Sequence, residues 1–132
     1  VLQNDDSEAF TPVLSELYAE QPERSNLGFF EQKLDKADGY GAFPFFDNYQ
    51  KFLIGLGDAA LLDASIEKFK SISLNLQTSE WRRFGATKAI ADMRNHYREK
   101  GDTSKVTVLD AIITEIKANE TDATLKLYYD MF

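Results

Sequence analysis

The stretch that decides the fold is residues 79–100, Ser79-Glu80-Trp81-Arg82-Arg83-Phe84-Gly85-Ala86-Thr87-Lys88-Ala89-Ile90-Ala91-Asp92-Met93-Arg94-Asn95-His96-Tyr97-Arg98-Glu99-Lys100. Thr78 precedes it as a good N-cap, Glu80 places an acid in the first turn where the helix macrodipole favours one, and Gly101 ends it. At about 100° per residue, Ala86, Ala89, Ile90, Met93 and Tyr97 share one face while Trp81, Phe84 and Gly85 lie on another. A helix that is apolar on two sides is expected to be sandwiched between layers. Gly85 has no capping duty in mid-helix and costs about 1 kcal/mol against Ala, so close approach of another helix is its expected compensation.

Working outward, the neighbouring segments carry the same helical spacing. Before the central helix, Leu62, Ile66, Phe69, Ile72 and Leu76 form one stripe, with Asp58 or Asp63 placed as cap or dipole partner. Phe45, Phe46, Tyr49, Phe52, Leu53 and Leu56 form a ring-rich stripe that stops at Gly57 and follows a loop punctuated by Gly39, Gly41 and Pro44. Leu27, Phe30, Leu34 and Ala37 give a shorter helix that fades at Asp38-Gly39. Thr11-Pro12 reads as an N-cap with proline at the first helical position, opening a helix that carries Val13, Leu14, Leu17 and Tyr18 and ends near Gln21-Pro22. After the central helix, Asp102-Thr103 precedes Val106, Leu109, Ile112, Ile113 and Ile116, and Asn119 is placed to cap a last helix with Leu125, Tyr128, Tyr129 and Phe132. No alternating strand pattern is present. The prediction is all-α, about seven helices in antiparallel pairs, stacked as an α-solenoid or a bundle.

Composition bounds what such a chain can do. At 132 residues one domain covering 1–132 is expected, and 43% hydrophobic with 13% aromatic residues is too apolar for a chain that stays disordered. Fifteen Lys and Arg against 22 Asp and Glu leave a net charge of −7, which opposes a phosphate-backbone footprint and makes nucleic acid an unexpected partner. With no Cys and one His, neither a disulfide framework, a thiolate nucleophile nor a two-histidine zinc site can be built from this chain, so no metal or cofactor is expected in it. No apolar run reaches the roughly 20 residues that span a bilayer, and no membrane partner is expected. Val1 in place of Met reads as a processed product or a piece of a longer chain.

Candidate sites are few. The carboxylate pairs Asp5-Asp6, Asp35 with Asp38, and Glu120 with Asp122 have the residue type of a general acid/base pair, but they fall at helix ends, where acids cap. Asp35-Lys36-Ala37-Asp38-Gly39 lacks the alternating ligands of a calcium loop, and Gly39-x-Gly41 and Gly55-x-Gly57 lack the third glycine of a dinucleotide fingerprint. His96 has no local partner for proton transfer and reads as a partly exposed histidine. No catalytic residue is assigned. Arg83, Arg94 and Arg98 project within about 60° of one another on the central helix, a basic stripe on an acidic protein. They are the candidate contact for a carboxylate, a peptide C-terminus or an acidic neighbouring domain, against a plain reading in which they form a solvated face or pair with acids on adjacent helices. Arg82 points toward the Ala86 face, where its stem packs and its head meets a carbonyl or carboxylate. Trp81 and the other rings have the chemistry of a peptide or sugar platform, but at helical spacing they read as core.

The run Ser79-Glu80-Trp81-Arg82-Arg83-Phe84-Gly85-Ala86-Thr87-Lys88-Ala89-Ile90 resembles the helical, HEAT-like C-terminal region of bacterial zinc aminopeptidases of the aminopeptidase N type. Phe45-Phe46-Asp47-Asn48-Tyr49 and the closing Thr124-Leu125-Lys126-Leu127-Tyr128-Tyr129 are similar to the same region, so the resemblance spans nearly the whole chain. That family binds zinc through H-E-x-x-H with a downstream Glu and holds the substrate amino terminus on a Gly-x-Met-Glu-Asn loop, and neither motif is present. The resemblance therefore implies a non-catalytic accessory domain. It would pack on the catalytic domain of the same polypeptide, help enclose the peptide-access chamber and meet peptide substrate there, with the zinc bound elsewhere in an exported or periplasmic parent enzyme. The alternative is a free-standing α-helical module that binds a partner helix or peptide in a concave groove. A third reading is a metal-free hydrolase using the carboxylates.

Overall fold

The computed structural model describes residues 4–132, with side chains from residue 9 onward. It contains α1 (Asn4–Glu20), α2 (Leu27–Lys33), α3 (Ala42–Leu56), α4 (Ala59–Leu74), α5 (Glu80–Glu99), α6 (Thr103–Asn119) and α7 (Ala123–Tyr129). Among the described residues there is no strand. The all-α architecture expected from the spacing is present.

Helix α5 is central. It packs on α3, α4, α6 and α7, while α3 also packs on α1 and α4 on α6. Alternate helices thus stack on one another, and α5 lies between α3 and α7 in one layer while facing α4 and α6 of the other. The chain reverses through short links shaped by glycine. Gly101 takes φ +76° and places the Asp102 N–H 2.9 Å from the Tyr97 carbonyl, closing α5 with a six-residue turn. Gly57, at φ +68°, ends α3 in the same left-handed region.

The interior is built on rings. Phe30, Phe46, Phe52, Phe69 and Tyr49 are buried, with Phe30 stacked on Tyr49 at 4.9 Å and Phe46 edge-on to Phe69 at 5.6 Å. Gly85 is buried where α5 crosses α3. A Cβ there would lie 2.7 Å from Phe46 Cδ2 and 3.3 Å from the Ala42 carbonyl, so the bare backbone is what lets the two helices meet. This close approach is the one the mid-helix glycine predicts.

Several boundaries differ from expectation. Helix α1 starts at Asn4, and Pro12 lies inside it instead of opening it. Proline removes one ladder donor but its φ is already helical. Buried Ser15 then anchors that turn, donating to the Pro12 carbonyl at 3.0 Å and accepting from Asn48 Nδ2 at 3.2 Å. Residues Gly39–Gly41 form a 3-10 turn and Pro44 falls in the first turn of α3, where no N–H is needed. Ser79, not Thr78, caps α5, because the Thr78 carbonyl and hydroxyl are taken by Arg83 and Arg82. Asp122, not Asn119, caps α7: Asn119 still belongs to α6, and its Nδ2 donates to the Leu74 carbonyl at 2.9 Å. Asp58 caps α4 through the Leu61 N–H, leaving Asp63 to pair with Lys105.

Candidate functional site

The three arginines of the expected stripe do not form a common exposed face. Arg83 is only 6% exposed and Arg94 only 7%, whereas Arg98 is exposed. Arg83 meets Glu120 in a bidentate pair, Nε to Oε1 and Nη2 to Oε2, each 3.0 Å, and its Nη1 donates to the Thr78 carbonyl at 2.5 Å. Arg94 donates to Asp110 Oδ1 at 3.2 Å and to the Phe132 carbonyl. Arg98 reaches Asn95 Oδ1 at 3.3 Å. Arg83 and Arg94 are therefore paired with acids inside the chain, and Arg98 stays on the surface.

Glu120 is not recognisable from sequence as the partner of Arg83, because 37 residues separate the two. It is 2% exposed, and its Oε2 also accepts from the Thr121 and Asp122 N–H groups at 3.0 Å. Burial alone would raise its carboxyl, but the Arg83 hydrogen bonds and these backbone donors together hold it below the usual carboxylate value. Hydrogen bonding to Glu120 in turn raises Arg83. The pair fastens the start of α5 to the turn that leads into α7. Arg82 behaves as its spacing suggests, with Nη1 donating to the Leu34 and Ala37 carbonyls at 2.6 and 2.7 Å.

The acid pairs serve the backbone. Asp122 Oδ1 accepts from the Leu125 N–H, and Asp38 Oδ1 accepts from the Gly39 N–H and from the Ser79 hydroxyl. Those hydrogen bonds hold Asp38 below its ordinary value, that from Ser79 most. Asp35 is exposed, and the side chains of Asp5 and Asp6 lie outside the described residues. His96 is half-buried, and burial followed by Lys100 lowers its pKa, so it is neutral near pH 7. Among the described residues no three His, Cys, Asp or Glu stand together, so the zinc that the resemblance implies for a parent enzyme has no fitting ligand set here.

What the fold does assemble is an aromatic end face. Tyr40 is 85% exposed and packs on Trp81, 43% exposed, at 4.8 Å. Phe84 stacks on Phe43 at 5.5 Å and meets Tyr128, 47% exposed, at 5.4 Å. Between α5 and α7, Trp81, Phe84 and Tyr128 flank an open groove of about 500 Å³, whose lining also includes Leu125, Glu80 and Asp122. Spacing assigned these rings to a core; instead the second apolar face of α5 is only partly covered. Its signal was Trp81 and Phe84, three residues apart at the very start of the helix, where a short α7 covers only part of the face. No helix among the described residues is long and apolar enough to cross a membrane. Compared with known proteins, the chain matches no family model, no curated protein and no solved structure.

Proposed function

We propose that this chain is a non-catalytic helical accessory domain that docks through its aromatic end face. In the form suggested by the resemblance to zinc aminopeptidases, it packs on the catalytic domain of its own polypeptide and helps enclose the chamber through which peptides reach the zinc. The observation that carries this reading is the set of exposed rings gathered at one end, Tyr40 on Trp81 and Tyr128 on half-buried Phe84. Apolar surface gathered in one place, with aromatic residues at its centre, has the composition of an interface core. The α5 and α7 backbones beneath it are fixed by the Arg83–Glu120 pair, so the face is preorganised.

The reading frame that encodes the chain is the first test. An upstream H-E-x-x-H supports the accessory-domain reading, and a frame without one transfers the docking face to a free-standing interaction module. The second test expresses this chain and the remainder of its polypeptide as separate proteins. They are expected to copurify, and Trp81→Glu or Tyr128→Glu is expected to abolish copurification while the far-UV circular dichroism stays helical. Copurification unaffected by both substitutions would place the docking surface elsewhere.

A further inference from the structure

The groove between α5 and α7 has a charge as well as a shape. Its base and sides are Trp81, Phe84, Leu125 and Tyr128, and the ionised groups lining it are Glu80 and Asp122. No Lys or Arg lines it. Of the cations next to the lining residues in sequence, Arg82 is turned onto the Leu34 and Ala37 carbonyls and Arg83 onto Glu120 and the Thr78 carbonyl, while Lys126 is exposed on α7 outside the lining. Two helix N-termini open toward the same place and would by themselves favour an anion. Both are already met: Ser79 accepts from the Arg82 N–H with Glu80 in the first turn of α5, and Asp122 accepts from the Leu125 N–H of α7. The remaining character is aromatic and anionic. Ring faces carry negative potential, which adds to that of the two carboxylates.

We infer that the α5–α7 groove is a docking site for a cationic, apolar peptide segment. An arginine or lysine side chain of that segment lies over Trp81 within reach of the Glu80 and Asp122 carboxylates, and a neighbouring apolar side chain fills the space beside Phe84 and Tyr128. A cation on an apolar stem satisfies both halves of the lining at once, because the stem covers rings while the head meets carboxylates. The inference rests on the end face being the docking face and narrows what that face takes. It makes the occupant a segment of opposite charge to this chain, whose net charge is −7.

Trp81 is the one tryptophan in the sequence, so its fluorescence reports on the groove alone. The isolated chain is titrated with acetyl-Leu-Arg-Leu-Arg-Leu-amide, with the Glu counterpart of that peptide, and with maltopentaose, at low and moderate salt. A saturable change is expected with the Arg peptide, weakened by salt and roughly tenfold weaker in Glu80→Gln, a loss of about 1.4 kcal/mol. Glu115→Gln, on α6 and outside the groove lining, is expected to bind as the parent does. An equal response to the Glu peptide, no saturable response to the Arg peptide, or a response to the sugar alone would overturn the cationic occupant. The docking reading fails separately. If copurification depends on Trp81 while the Arg peptide gives no response, only the occupant is wrong; if the peptide binds while copurification ignores Trp81, the groove stands and the domain docks elsewhere.

Discussion

Removing the Glu120 side chain is the sharpest test of how this domain holds its shape. In Glu120→Ala, Arg83 keeps the Thr78 carbonyl but loses two hydrogen bonds at 3.0 Å and the charge that matches its own in a site where it is only 6% exposed. The Thr121 and Asp122 N–H groups lose their carboxylate acceptor as well. Breaking one side of a buried pair costs about 3 to 5 kcal/mol, and the surviving Thr78 contact places this case near 3. For a chain of this size that is a fall of about 10 °C in Tm. Urea and thermal unfolding followed by circular dichroism measure it, with Glu120→Gln as the neutral, nearly isosteric control that retains an acceptor and falls between the two. Amide exchange of α7 is expected to quicken before that of α3, because the pair ties the α6–α7 turn to α5. A loss below about 0.5 kcal/mol in Glu120→Ala would refute the reasoning, since it would mean that Arg83 finds water or another carboxylate at no cost.

The same pair sets a pH window. Glu120 has its folded pKa below the ordinary 4.5, so the unfolded chain takes up the proton first on acidification. The contribution is complete at pH values above 4.5 and is lost as pH falls through the lowered folded value. The stability difference between the parent and Glu120→Gln is therefore expected to shrink below pH 4.5 and to be constant from there to neutrality.

Gly85→Leu is expected to destabilise the domain by about 1 to 3 kcal/mol through overpacking, and Gly85→Ala by less, because the helix propensity of Ala offsets part of its contact with Phe46; urea midpoints decide. Arg94→Glu places an acid beside Asp110 and removes the donor to the Phe132 carbonyl. It is expected to lower Tm in the isolated chain, and an unchanged Tm would mean that the arginine serves only an external partner. His96 is expected to titrate below 6.5 in the folded chain by NMR. Because burial and Lys100 penalise the charged imidazole in the fold, this histidine is expected to cost stability as pH falls below 6.5 and nothing above it.

Helix spacing and the glycine stops at Gly57 and Gly101 were legible because each depends on residues within one or two turns of each other, whereas the caps expected at Thr11, Thr78 and Asn119 were not those the fold uses. The Gly85 contact was legible for a related reason: a helix-interior glycine carries a local cost that a neighbour must offset. Pro12 shows where local rules stop, since a buried serine and its Asn48 partner on α3 sustain a helix across a residue that ordinarily starts one. The exchange between Asn119 and Asp122 as caps was equally closed to sequence. Both can cap, and the choice is made by Leu74 on another helix, whose free carbonyl takes the Asn119 amide.

On α5 the usual placement of residue types is inverted at its first turns. Arg83 goes inward and Trp81 outward, and the two placements have one cause. Arg83 can be buried only because Glu120 arrives bidentately from the α6–α7 turn. That turn sets where α7 begins, and α7 is only seven residues long, so it brings Leu125 and Tyr129 into the core without covering the ring-bearing edge of α5. Covering Trp81 would take further apolar surface on that side, and the chain places Glu80 and Asp122 there instead. Charged groups beside exposed rings keep the face soluble when bare while leaving its apolar centre available, the arrangement of an interface core inside a polar rim. The ion pair that looks purely structural is thus what leaves the ring-bearing edge of α5 open. Loosening it in Glu120→Gln should weaken Arg-peptide binding although Glu120 is not among the residues that line the groove.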